Sequence, residues 1–326
     1  MTTPSIKVLS INGWCRNGST IIGNLLNEVP GFFHVGELHF LWKNAYGDGS
    51  NTRCGCGRDL LACPIWSSVL AAELPPGADP RAHAREVRRR QRSGLRTRHT
   101  WHVLRHGLDS DARRAHTATM ARTYRAIAQV TGARVIVDST KIPGEAAVLP
   151  SVDGIEPRYV HLVRDPRAVA HSWSRQKDYA YVMPAARSTA YWVGFNLASR
   201  ALVKRHPAHS TFLRYEDFIR EPAATIRSLI ELCGGDPSGN PVHGRTAELR
   251  TNHTVTGNPD RFKHGPTEIR AFDGLWRSEL SATAKLATLA LAWPLLARYG
   301  YPLRGPTAPD PRDNPERSPG GPRTSP

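Results

Sequence analysis

Lys7-Val8-Leu9-Ser10-Ile11 is a short apolar run, Gly13-Trp14-Cys15-Arg16-Asn17-Gly18 turns the chain, and Ser19-Thr20 open a stretch to Leu26 with apolar residues at helical spacing. The order is strand, glycine loop, helix. In that context the loop reads as an anion site. Glycine lets the backbone close around a phosphate, while the helix start offers unpaired N–H groups and a positive dipole end. Ser19 and Thr20 add hydroxyls, Arg16 a charged fork, and the backbone of Asn17 and Gly18 the remaining donors. A nucleotide triphosphatase would carry GxxxxGK[ST]. Here Asn17 precedes Gly18, no lysine precedes Ser19, and the cation stands before the glycine. This departure speaks against a Mg²⁺-dependent kinase or nucleotide hydrolase; the structural alternative is a plain strand–turn–helix.

Similar segments recur along the chain. Arg134–Asp138 is strand-like and leads into Ser139–Pro143; Arg158–Val163 leads into Arg164-Asp165-Pro166 and a helix from Arg167; Ser210–Tyr215 is a fourth strand. Short apolar strands alternating with helices predict an α/β fold whose mostly parallel central sheet is covered on both faces, a P-loop-like three-layer arrangement. The long segment 44–131 is expected to form a helical insertion or lid over the C-terminal edge of the sheet, where ligands bind in open α/β folds. Residues 1–304 then form the folded domain. Residues 305–326, with seven prolines, are expected to be a disordered tail.

Arg164 at a strand end and Ser172 eight residues on, about two helical turns later, form a second candidate anion grip. Pro166 suits the first turn of the intervening helix, where its missing N–H costs nothing. The alternative is that Arg164 merely pairs with Asp165 or caps that helix.

Taken together, Gly13-x-x-Arg16-x-Gly18-Ser19-Thr20 and Arg164-Asp165-Pro166-Arg167 with Ser172-Trp173 resemble the two nucleotide motifs of sulfotransferases that use 3′-phosphoadenosine 5′-phosphosulfate (PAPS). The resemblance extends over most of the chain. It implies that the first loop holds the 5′-phosphosulfate and that Arg164 and Ser172 hold the 3′-phosphate. Leu213–Asp217 is similar to a segment whose tyrosine, here Tyr215, lies near the adenine. Gly257–Gly265 looks like the family's C-terminal loop, which implies contacts to the 3′-phosphate from Arg261, Lys263 and Gly265. Val137–Pro143 is similar to the central strand and its following loop. Where small-molecule members place a histidine, this chain has Lys141. Members with a glutamate base, as in tyrosylprotein and some bacterial carbohydrate sulfotransferases, carry it after the first helix. Glu37, twenty-one residues after Arg16, matches that place. The implied catalytic set is Glu37 as base with Arg16 and Lys141 as charge stabilisers; His39 is a weaker candidate for the base. The implied donor is PAPS, with no metal because the cations come from the protein. The implied acceptor is a small molecule or glycan bearing a hydroxyl.

Composition bounds these readings. The chain has 326 residues, a formal charge of +16 and 40% hydrophobic residues. Thirteen arginines fall between Arg81 and Arg125. Without interleaved aromatics or a reading motif, they are expected to form a solvated helical face rather than a nucleic-acid surface. A basic binding module would also leave both anion loops unexplained. The apolar run Leu286–Tyr299 is too short to span a bilayer and is interrupted by Pro294, and the N-terminus lacks the pattern of an export signal, so a cytoplasmic protein is expected. Five cysteines, an odd number, argue against a disulfide scaffold. Cys54, Cys56 and Cys63 cluster at a spacing that fits no common zinc motif, so packing or an occasional disulfide is expected there in preference to a metal.

Overall fold

The computed structural model describes residues 5–175, 181–270 and 274–303; the Pro-rich tail expected at 305–326 lies outside them. Five strands form one sheet: β1 Ile6–Asn12, β2 Phe32–Gly36, β3 Val135–Asp138, β4 Ile155–Val163 and β5 Ser210–Arg214. Their order is β2-β3-β1-β4-β5 and every neighbouring pair is parallel. The chain leaves β1 toward one side for β2 and β3, and takes up the other side with β4 and β5. A crevice therefore opens at the C-terminal end of β1, where the direction of winding reverses.

Both faces of the sheet are apolar, as a sheet covered on two sides requires. On one face Leu9, Ile11, Val135, Val137, Val160 and Leu162 pack against α1 (Ser19–Asn27) and, through Ile226, Leu229 and Ile230, against a later helix, Pro222–Leu232. On the other face Val8, Ile136 and Tyr159 meet side chains from the 44–131 segment. That segment carries the end of α2 (Leu41–Tyr46) and four further helices: α3 Pro64–Glu73, α4 Pro80–Gly94, α5 Thr100–His106 and α6 Asp111–Thr131. Trp66 on α3 and Tyr124 and Ile127 on α6 are fully buried in the same cluster as the strands. Much of the segment expected to form a lid is thus a helical layer of the domain. Ser110 caps α6 by accepting from the Arg113 amide, and Gly132, at φ 71°, ends it.

The remaining helices follow in chain order: α7 Pro143–Ala146, α8 Pro166–Ser174, α9 Ala185–Arg205, α10 Tyr215–Arg220, α11 Pro222–Leu232, α12 Trp276–Glu279 and α13 Ala282–Arg298. The apolar run containing Pro294 is one continuous helix, α13, rather than two pieces. Burial of Ala292, Leu295 and Leu296 beside Trp192 and Tyr299 offsets the backbone bond that the proline removes. A two-stranded antiparallel ribbon, β6 Thr246–Leu249 with β7 Gly265–Glu268, brackets a loop that returns to the sheet.

Because α6 shares a core with β1 and β3, Ile127→Ala should cost about 2–5 kcal/mol, read by urea unfolding as a single transition moved to lower denaturant. Loss of α6 in a separate, earlier transition with the sheet unaffected would contradict this packing.

Candidate active site

All five strands of the sheet end at the same cleft. β1 runs into the glycine loop and α1, β2 into Glu37, β3 into Lys141, β4 into Arg164, and β5 into Tyr215. A cleft of about 350 Å³ is lined by Arg16, Gly18, Ser19, Thr20, Glu37, Lys141, Arg164, Ser172 and Tyr215 among others. These residues come from five separate stretches of sequence, and the parallel sheet alone brings them together.

The glycine loop owes its shape to specific constraints. Gly18 precedes α1 with φ 93°, and a Cβ there would stand 2.2 Å from the Tyr215 ring, so only glycine fits. Gly18 itself offers no side chain to cap α1, and among the described residues only the Ser19 amide of the first turn is taken by a side chain, that of Asn17, so the amides that follow it keep the arrangement that binds anions. Asn17 is buried and braces the loop instead of lining the cleft. Its amide nitrogen donates to Leu162 O at 3.0 Å and its oxygen accepts from the Ser19 amide at 3.3 Å. Arg16 lies with its guanidinium 4.9 Å from the Trp173 ring.

Lys141 is the centre of the site. Its side chain is 5% exposed. The ammonium donates to Ser139 O at 2.5 Å, to Glu37 Oε1 at 2.8 Å and to Ser19 Oγ at 3.3 Å. It therefore connects the glycine loop to the carboxylate. Lys141 and Arg16 are the non-glycine residues with left-handed backbone among those described, at φ 64° and 71°. Such conformations cost about 1–3 kcal/mol each and persist where the surroundings fix them. Here both aim a cation into one cleft.

Glu37 is held from behind. Its amide donates to Thr256 O at 3.3 Å, and Gly36 (φ 74°) sits where a Cβ would be 2.5 Å from that same carbonyl. His34, buried beneath, contacts Asn24 Oδ1 through Nδ1 at 3.3 Å and Ser139 Oγ through Nε2 at 3.2 Å. Burial, aided by the Lys141 charge, pushes His34 down to about 3. A neutral imidazole thus supports the turn that carries Lys141 without adding charge. Burial also pushes the Cys15 thiol, at the cleft wall, up to about 11. His39 faces away from Glu37: its Nδ1 is 2.5 Å from Glu145 Oε2, and His116 Nε2 is 3.0 Å from Glu145 Oε1. Burial would raise Glu145, yet the two histidines hold its carboxyl below the usual range.

The Arg164 side chain does not pair with Asp165. Asp165 caps α8 and binds Arg167 at 2.8 Å, while Arg164 Nη1 donates to Arg16 O at 3.1 Å and the guanidinium lies 4.7 Å from the Tyr215 ring. Arg164 Nε is buried with no hydrogen-bond partner among the described residues. An orphaned guanidinium N–H beside a hydroxyl-bearing helix is what an anion-binding position provides.

The C-terminal loop meets the cleft, but through other residues than the sequence suggested. Thr256, Gly257, Asn258 and Asp260 line it. Arg261, Lys263 and Gly265 do not. Arg261 is buried and donates to Arg53 O, Thr254 O and Asn51 Oδ1, and burial pulls it down to about 10. Lys263 pairs with Asp260 at 2.7 Å on an exposed turn, and Gly265 starts β7. Asn51, which the sequence did not single out, also lines the cleft and donates to Thr256 Oγ1.

The sequence model described as the sulfotransferase family matches residues 9–236. The sulfotransferase domain of the olefin synthase of Synechococcus PCC 7002 is 21% identical and superposes with a TM-score of 0.52, covering 93% of this chain and 98% of that one. At this identity the likeness shows the α/β fold. The sulfotransferase domain from the curacin biosynthetic pathway is more distant, at 16% identity and a TM-score of 0.48, covering 93% of this chain and all of that one. A sulfotransferase from Alicyclobacillus acidocaldarius is 14% identical with a TM-score of 0.42, covering 91% and 94%. No curated protein sequence matches the chain.

The buried histidine sets a pH dependence. An unfolded imidazole titrates near 6.5, whereas folded His34 stays neutral down to about 3. The unfolded chain binds the extra proton in that window, so stability falls as pH drops from about 6.5 toward 3, by up to about 1.4 kcal/mol per pH unit for this group. His34→Asn should flatten the loss in urea titrations between pH 6.5 and 4; an unchanged slope would contradict the buried neutral imidazole.

Proposed function

Because this chain belongs to the sulfotransferase family, we propose that it moves a sulfuryl group from PAPS to the hydroxyl of a small-molecule acceptor, with Glu37 as general base. The observation that carries this reading is the Lys141 ammonium, set between Ser19 Oγ of the phosphate loop and Glu37 Oε1. One cation thereby faces the donor end and the base at once.

The cleft fits the donor in its chemistry. The start of α1, through the Thr20 amide and the hydroxyls of Ser19 and Thr20, takes the 5′-phosphosulfate. The orphaned Arg164 N–H and Ser172 on α8 take the 3′-phosphate, and Tyr215 stands beside them for the base. Glu37 Oε accepts the acceptor's hydroxyl proton while the acceptor oxygen bonds to sulfur. The bond from sulfur to the 5′-phosphate oxygen breaks, and its electron pair stays on that oxygen. Arg16 and Lys141 offset the charge that grows there and on the sulfuryl oxygens. This reading gives Arg261, Lys263 and Gly265 no part in donor binding.

We place the acceptor in a second cavity, whose walls include chain neighbours of the Glu37–Lys141 pair. His39 and Ile142, just beyond Glu37 and Lys141 in the chain, line this cavity of about 290 Å³ together with Lys43, Arg88, Arg92 and Arg96. Arg88 pairs with Asp48 and His39 with Glu145, but the described lining itself holds no carboxylate, and Lys43, Arg92 and Arg96 remain to support an acceptor that is itself anionic. The arginine-rich stretch thereby gains a role at the site. Among the described residues no helix is long and apolar enough to cross a membrane.

Arg164→Ala should weaken adenosine 3′,5′-bisphosphate binding roughly 10- to 100-fold, the worth of charge-assisted hydrogen bonds, and leave AMP nearly unchanged in calorimetric titration. Glu37→Gln should lower turnover of labelled PAPS about 100-fold or more with bisphosphate affinity retained, and Arg92→Ala with Arg96→Ala should raise only the acceptor KM. Equal losses for bisphosphate and AMP in the first variant, or near-normal kcat in the second, would overturn the donor site or the base respectively. An unchanged acceptor KM would remove the anionic subsite.

A further inference from the structure

The cysteine cluster that sequence spacing left without a fourth partner has one. Cys54, Cys56, Cys63 and His253 bring their ligand atoms within 4.8 Å of one another, although His253 lies 199 residues beyond Cys54. His253 Nδ1 is 3.3 Å from Cys63 Sγ and 3.7 Å from Cys54 Sγ. We propose that these four residues bind one Zn²⁺ as a closed, structural Cys₃His site.

The geometry supports a tetrahedral ion. Zn–S bonds of about 2.3 Å and Zn–N bonds of about 2.0 Å place neighbouring ligand atoms roughly 3.5–3.8 Å apart; the two N···S separations here, 3.3 and 3.7 Å, lie close to that, and all four ligand atoms fall within 4.8 Å. Three thiolates and an imidazole suit Zn²⁺ and exclude the oxygen-seeking Ca²⁺ and Mg²⁺. The local backbone is that of a metal knuckle. The Cys54–Gly57 turn closes through the Gly57 amide on Cys54 O at 2.9 Å, and the Cys56 amide points at Cys54 Sγ at 3.5 Å. Cys63 stands at the N-cap of α3, where the helix dipole favours a thiolate. His253 is fixed by Trp66, whose indole N–H donates to the His253 carbonyl at 2.6 Å. Buried Arg261 binds the carbonyls of Arg53 and Thr254, each next in sequence to a ligand. Its positive charge offsets the net negative charge that three thiolates leave around a divalent ion. The residue that the sequence assigned to the nucleotide thus belongs to the outer shell of the metal.

The site also has a task. It joins the 51–63 loop to the 252–258 loop, and both reach the cleft, through Asn51 on one side and Thr256, Gly257 and Asn258 on the other. The same loop adds to β2: the Val255 amide donates to Val35 O at 2.9 Å, and Thr256 O receives the Glu37 amide. The metal would therefore clamp the backbone behind Glu37.

Native mass spectrometry of the full chain, lysed anaerobically under reducing conditions from zinc-supplemented cells, should find about one Zn²⁺ per chain. Cys56→Ser and His253→Ala should lose most of it. Since either variant may unfold, the wild-type chain exchanged with Co²⁺ alone is the second readout: it should show thiolate-to-cobalt charge transfer and tetrahedral d–d bands, and chelation should lower its Tm. A chain that carries no zinc and takes up neither ion, one whose Co²⁺ spectrum lacks thiolate bands, or one that holds a Cys54–Cys63 disulfide under those conditions would overturn the site.

Discussion

The Lys141 ammonium is the joint on which the site depends. It is buried, held by the Ser139 carbonyl, and shared between Ser19 of the glycine loop and Glu37. A lysine can take that place only because its backbone enters the left-handed region, and because three strands end side by side with β1 in the middle of the sheet. His34 conforms to this charge by staying neutral under the turn, and Cys15 is kept a thiol at the wall by burial, which outweighs the pull of Lys141 toward a thiolate. The strain of Lys141 and Arg16 and the desolvation of the ammonium are costs that a purely structural core would avoid, which fits a function for both cations.

Much of this was legible in the sequence. The strands β1, β3, β4 and β5 announce themselves as β-branched or apolar runs ending in Gly13, Asp138, Arg164 and Tyr215, and the parallel order follows from the helices between them. Arg16, Ser19, Thr20, Glu37, Lys141, Arg164, Ser172 and Tyr215 all reach the one cleft. β2 was harder to see because Phe32–Gly36 is short, ends in glycine and carries a buried histidine. The role of 44–131 was obscured by its arginines, which dominate the composition while Trp66, Tyr124 and Ile127 do the packing.

What local sequence could not give is long-range pairing. Nothing near Cys54 points to His253, and nothing near Arg261 distinguishes a phosphate ligand from a buried clamp on carbonyls across the loop. A similar limit holds for Asn51, whose place in the cleft depends on the fold of a loop more than two hundred residues away in sequence. Such contacts are set by tertiary closure, after the sheet has fixed where each loop begins.

In the proposed function, the ends of a five-stranded parallel sheet form a single site for a 3′-phosphorylated adenosine donor. A crystal structure of the full chain with adenosine 3′,5′-bisphosphate tests it most directly. The 5′-phosphate should lie against the amides of Gly18 and Thr20 and the Ser19 hydroxyl with Lys141 beside it, and the 3′-phosphate on Arg164 and Ser172. A nucleotide bound elsewhere, or one whose 3′-phosphate reaches neither Arg164 nor Ser172, would contradict it.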